Sequence, residues 1–238
     1  MATKGERLFM KGQYEEALEA FLKADARDTQ DDSRIGATVG AAQVMMCQGR
    51  FKDAEERLKA EMPKAIWTMA CHPVNIGISC WFRSRYQDAV THFRKALKSQ
   101  YQSDDGFGSY FVLYYAAARR PAGIEIAEVQ ALITRRLNRW PPPVPSASLY
   151  TAQFVNGMID EDEYLSHSAV LGGRYAKYWE RYYRTKAAFY IGLARLRQGD
   201  KKAFASAMKR VSTEPLEQIF TEQLIARLET QRLARKRS

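Results

Sequence analysis

Tyr14, Ala17, Leu18, Phe21 and Leu22 fall at i, i+3, i+4, i+7 and i+8, one face of a helix, with polar residues between them. Gly12 precedes this stripe. A glycine there takes the left-handed conformation that ends a preceding helix. The arrangement, KGQYEEALEAF, returns along the chain. QGRFKDAEERL carries Gly49, Phe51, Ala54 and Leu58, and RSRYQDAVTHF carries Ser84, Tyr86, Ala89 and Phe93. A later copy, QGDKKAFASAM, carries Gly199, Phe204 and Met208. The first three anchors, 12, 49 and 84, stand 37 and 35 residues apart. Seven residues upstream of the four anchors are Gly5, Ala42, Gly77 and Gly192, small enough to let two helices approach closely. Each copy therefore predicts a helix–turn–helix of roughly 34 residues, stacked on its neighbours because one unit cannot bury its own apolar face. Ala17, Ala54 and Ala89 are expected where paired helices cross.

The middle of the chain is less regular. GSYFVLYYAAA reads as a buried helix and EIAEVQALITRRL as an amphipathic one, together a degenerate unit over 104–138. Pro141, Pro142, Pro143 and Pro145 then forbid helix and predict a rigid extended joint over 139–149. NGMIDEDEYLSHSAV reads as a short helix with acids in its first turn, where the helix dipole favours them. The expected organisation is repeats at about 1–32, 35–68, 70–100 and 104–138, the joint, a helical region over 150–230 with a further unit at 185–212, and a basic tail over 231–238.

Gly5, Leu8, Gly12, Ala17, Phe21 and Ala24 align with the small–aromatic–Gly–Ala–aromatic–Ala pattern of the tetratricopeptide repeat family, as do Gly77, Cys80, Ser84, Ala89, Phe93 and Ala96, with Leu8 and Cys80 at the first aromatic position and Ser84 at the glycine. The chain resembles that family over 1–97 and more loosely over 185–212, and its part from Trp140 to Met208 is similar to the C-terminal part of some bacterial members. The resemblance implies an all-α, right-handed solenoid of helix–turn–helix repeats that binds other proteins. In the family the first helix of each repeat lines a concave groove, at positions one, four and five after the small residue. Those positions are Glu6, Phe9 and Met10, then Gln43, Met46 and Cys47, then Ile78, Trp81 and Phe82. A largely apolar partner-binding groove of Phe9, Met10, Gln43, Met46, Trp81 and Phe82 is therefore expected. The alternative for Trp81 and Phe82 is packing against the next unit. Val39 and Val74 stand where a carboxylate-clamping side chain would be, so that activity does not carry over.

Charge changes the picture in the second half. The chain has a formal net charge of +10. Between Arg174 and Arg210 stand eleven Lys and Arg against Glu180 and Asp200 alone, whereas the first thirty residues are nearly balanced. Arg174, Lys177, Arg181 and Arg184 are the candidate positive strip, suited to acidic protein or to phosphate backbone. The alternative function is thus a nucleic-acid-associated regulator using the 174–210 surface. Tyr175, Tyr178, Trp179 and Tyr182 share one helical face, which reads as core ahead of base stacking.

Catalytic chemistry is hard to find. His72, His92 and His167 have no evident acid or nucleophile partner in sequence. Gly106-Phe107-Gly108 and Gly172-Gly173 lack the pattern of a phosphate loop and read as turns. Asp160, Glu161, Asp162 and Glu163 read as a solvated helix start. Cys47, Cys71 and Cys80 have no metal-ligand spacing and read as reduced, mostly buried thiols. The expectation is a non-enzymatic adaptor without cofactor or metal. The opening residues lack the apolar core of a signal peptide, and the chain has no run of about 18 apolar residues. Both favour a cytoplasmic setting.

Overall fold

Five helix ends share one hydrogen-bonded turn. At Gly12 the backbone N–H donates to the Phe9 carbonyl and the next N–H, of Gln13, reaches back to Leu8. The same pair of bonds recurs at Gly49, Ser84, Gly157 and Gly199. All five anchors lie in the left-handed region, with φ between 62° and 91°. Four are glycine. Ser84 is the exception, and an L-residue there pays roughly 1–2 kcal/mol. The turn at Gly157 has no counterpart among the four copies recognised in sequence.

The computed structural model describes residues 3–27, 31–61, 70–99, 106–119, 123–139, 146–172, 177–215 and 220–235. These form thirteen α-helices and no strand. The prolines of the 139–149 joint lie outside the described residues. Two compact units divide the chain, residues 1–102 with 217–224, and residues 103–216 with 225–238. The helices of 104–138 thus fall in the second unit.

In the first unit the hairpins are α1 (Lys4–Met10) with α2 (Tyr14–Arg27), α3 (Asp31–Cys47) with α4 (Phe51–Glu61), and α5 (Cys71–Phe82) with α6 (Tyr86–Ala96). α2 packs on α3 and α4 on α5, so the hairpins stack in chain order. Glycine sets the spacing. A Cβ added to Gly5 would lie 2.8 Å from the Phe21 ring, and one added to Gly40 would lie 2.5 Å from it. Phe21 is thus wedged between its own hairpin and the next. A Cβ on Gly77 would likewise collide with the Phe93 ring. Ala17, Ala54 and Ala89 are fully buried.

Carboxylates link one hairpin to the next. Asp25 on α2 accepts from Thr38 on α3 at 2.8 Å and pairs with Arg57 on α4. Glu55 on α4 is buried and accepts from Lys59 at 2.6 Å, from Arg83 at 2.7 Å and from Arg85 at 3.0 Å. The two arginines flank the Ser84 turn, so Glu55 holds the elbow of the following hairpin. Burial pushes its carboxyl up, but the hydrogen bonds and charges of Lys59 and Arg85 outweigh this and the net shift is down.

The second unit contains α7 (Gly108–Arg119) with α8 (Ile126–Arg139), α9 (Ala147–Val155) with α10 (Glu161–Gly172), and α11 (Lys177–Arg197) with α12 (Lys201–Thr213). α8 packs on α9 and α10 on α11, while α11 also touches both α7 and α9. α7 is buried almost all round, and α8 buries the stripe Val129, Ile133 and Leu137. A Cβ on Gly192 of α11 would lie 2.7 Å from Ala207 on α12, the close approach seen in the first hairpins. α13 (Thr221–Arg235) has its first residues in the first unit and the rest in the second. Its Glu229 is fully buried and bonded to Tyr115, Arg119 and Arg232. The expected tail is therefore helical through Arg235.

Gly77→Ala should lower the melting temperature. Overpacking costs roughly 1–3 kcal/mol, against a gain of under about 1 kcal/mol in helix propensity. Gly36→Ala is the control, because the exposed Gly36 is helical with open space around it, and this change should raise the melting temperature. A second outcome concerns Glu55. Its folded-state carboxyl titrates below the unfolded value of about 4.3, so its stabilisation is full above that value and is lost as pH falls through the depressed one. Glu55→Gln should cost about 1–3 kcal/mol in urea unfolding near pH 7, and the gap to wild type should narrow near pH 3.

Candidate functional site

The expected groove residues are mostly interior. Phe9, Met46 and Trp81 are buried, as is Gln43, while Met10 and Phe82 are half-buried. This corrects the expectation of an open apolar row. Phe9, Met46 and Trp81 each stand three residues before an anchor. There Phe9 meets Tyr14 at 5.5 Å between ring centroids and Trp81 meets Tyr86 at 5.0 Å, edge to face. These side chains brace the elbow of their own hairpin. Phe82 stacks on Phe51 of the preceding hairpin at 6.3 Å. Gln43 donates to Asn75 at 3.2 Å, and Asn75 donates to the Cys71 carbonyl at 2.8 Å, a polar contact between α3 and α5. α5 is buried along ten consecutive residues, His72 to Trp81, so it offers no free face to a partner.

The candidate reactive groups are accounted for. Cys71 Sγ lies 3.7 Å from His72 Nδ1, so these neighbours do meet at the start of α5. Burial pushes the Cys71 thiol up to about 11 and pushes His72 down, which keeps both neutral and denies the pair a thiolate–imidazolium state. Burial lowers His92 as well, assisted by the Lys59 charge. His167 stacks on Tyr150 at 3.9 Å between centroids. Cys47 and Cys80 are buried thiols. The acids of 160–163 have structural work. Asp160 accepts from the Glu163 backbone N–H at 2.9 Å, and Glu161 pairs with Arg195 at 2.7 Å. Among the described residues no group of His, Cys, Asp and Glu is placed to hold a metal ion, and no helix is long and apolar enough to cross a membrane.

Open chemistry collects around α12. On its α11 side, Arg181, Arg184 and Arg210 line a cleft of about 310 Å³ together with Glu180 and Glu214. Arg181 faces Glu214 at 3.4 Å and donates to the Pro215 carbonyl at 3.1 Å, and Arg184 pairs with Glu180 at 2.6 Å. Two of the expected strip residues are thus largely neutralised by local acids. Arg174 lies outside the described residues. Lys177 opens α11, and its side chain also lies outside them. The aromatic face of this region divides: Tyr182 is buried, whereas Trp179 is 38% exposed and stacks on Tyr183 at 5.9 Å. Tyr175 lies outside the described residues, as does the side chain of Tyr178.

On the other side, α12 and α13 enclose a groove of about 680 Å³. Lys201, Lys202 and Lys209 rim it, and Ala205, Leu233 and Ala234 form its apolar floor. No acid lines it. The three lysines are exposed, and among the described residues none of them has an ion-pair partner. Phe204, Met208 and Val211 turn inward and fix this face of α12 outward, while Asp200 caps the helix by accepting from Ala203 N–H at 2.8 Å. Sequence reasoning counted these lysines in the basic excess without assigning them a site. The legible signal is Lys202, Ala205, Ser206 and Lys209 at i, i+3, i+4 and i+7, a face that is basic at both ends and small in the middle.

No protein-family model matches the chain, and no curated protein matches it.

Trp81→Ala should behave as a core truncation. It removes the ring that braces the Tyr86 elbow and should cost about 3–5 kcal/mol, read as a lower urea midpoint.

Proposed function

We propose that this protein is a binding module of the tetratricopeptide type, a right-handed solenoid of helical hairpins that acts as an adaptor for a segment of another protein. Support comes from the recurrent elbow at Gly12, Gly49, Ser84 and Gly199 and from the small-against-large contact within hairpins, which both follow the family plan. The partner surface of this reading is the α12–α13 groove. The observation that carries it is a set of three exposed lysines around an apolar floor, none of them in an ion pair among the described residues. The apolar row of the first repeats is not needed, because its side chains already serve the hairpins.

A nucleic-acid-associated role is the second reading. Half-exposed Trp179, stacked on Tyr183, offers an open ring on the same helix as Arg181 and Arg184.

Cross-linking mass spectrometry on the protein isolated from native extract, with and without nuclease, separates the two. The adaptor reading expects nuclease-resistant links from Lys201, Lys202 or Lys209 to another protein. Association that vanishes with nuclease, with contacts on α11 instead, would establish the second reading in its place.

A further inference from the structure

We infer that the α12–α13 groove accepts an acidic amphipathic helix of a partner protein, a statement that rests on the adaptor reading and specifies its ligand. The groove shows what such an occupant must carry. Lys202 and Lys209 are seven residues apart on α12, about 10.5 Å along the axis, so carboxylates at i and i+7 of a helix lying alongside meet both. Lys201 extends the positive rim at the N-terminal end of α12. Between the charges the floor is apolar and shallow, made by Ala205, Leu233 and Ala234. A single medium-sized apolar side chain fits over Leu233, which is itself half-buried. A furrow lined by two neighbouring helices is a recurrent seat for an amphipathic helix.

Other anions fit less well. Among the described residues no aromatic side chain lines the groove, so a single-stranded nucleic acid finds no stacking platform there. Its cations are all lysines, point charges on flexible stems rather than the planar forks that grip phosphate bidentately. A purely charged chain such as polyglutamate satisfies the rim and leaves the floor uncovered. The repeat plan points the same way. If α12 closes one hairpin, α13 takes the place of the first helix of a following one, and the furrow beside both is where the second helix of that hairpin would pack. Charge at the rim further implies that the attraction weakens as salt rises.

The test uses the full chain and three fluorescent probes in anisotropy titrations at low and physiological salt. One is an amphipathic helical peptide of roughly 18 residues with glutamates at i and i+7 flanking a leucine. The second is polyglutamate of equal charge and the third a single-stranded RNA. The amphipathic peptide should bind at least tenfold more tightly than either of the others. Its affinity should fall at least tenfold in Lys202→Glu with Lys209→Glu, and severalfold in Leu233→Ala, with the helical circular-dichroism signal unchanged. Equal binding of polyglutamate or RNA, no peptide binding at low salt, or peptide binding indifferent to both variants would overturn the proposal. Should a variant lose helical signal, competition by unlabelled peptide for cross-linker access to Lys202 and Lys209 of the wild type decides instead: protection supports the proposal and its absence overturns it. The adaptor reading is judged separately. Nuclease-resistant protein cross-links at these lysines from a segment that is not acidic would sink the present proposal and leave that reading standing.

Discussion

A phenylalanine ring pressed against a glycine backbone sets the helix spacing from which the first unit is built. Phe21 touches the positions of Gly5 and Gly40 so closely that neither has room for a methyl group, and Phe93 does the same at Gly77. Interiors at this packing density transmit a displacement of a few tenths of an ångström to the next element. The register of one hairpin on another therefore depends on these contacts. The left-handed elbows serve the same end, since each closes a helix and launches its partner within three residues. A side chain three residues before the elbow is then aimed at the one two residues after it, as Phe9 is at Tyr14 and Trp81 at Tyr86.

Electrostatics adds direction to this packing. Asp25 and Glu55 each leave their own helix pair to engage the following hairpin, and Glu55 reaches two of its arginines, Arg83 and Arg85, while Lys59 of its own helix adds a third cation. In the second unit Glu229 gathers Tyr115, Arg119 and Arg232 in the same manner. Such groups are costly to bury alone and specific when satisfied. They account for many of the acids that a composition count would treat as surface charge.

What these clusters leave over is the surface proposed above to meet a partner. Arg181 and Arg184 are answered by Glu214 and Glu180, and the cleft they line is close to balanced. Lys201, Lys202 and Lys209 are answered by nothing in the described chain. In the proposed adaptor role these lysines direct an acidic partner to one side of α12, where the apolar floor of Ala205, Leu233 and Ala234 lies between the charges.

The sequence by itself determined the helices, the elbows and the inward faces, because these depend on local rules: a 3.6-residue period, a left-handed residue at a helix end, and a small residue opposite a large one. Gly12, Gly49, Ser84 and Gly199 were legible for that reason, as were Ala17, Ala54 and Ala89. The fifth elbow, at Gly157, escaped because no aromatic–alanine stripe follows it. Tertiary structure alone decided which apolar residues face outward. Phe9, Met46 and Trp81 have the composition of an interface, but all three are buried, and Phe9 and Trp81 pack on Tyr14 and Tyr86 across their own turns. It also decided which charges are free. Arg184 and Lys209 look alike in a count of basic residues, yet one finds a glutamate a turn away on its own helix and the other projects from α12 beside α13 with no acid in reach. Burial and charge pairing are properties of neighbours brought together by the fold, and a linear pattern holds only half of each pair.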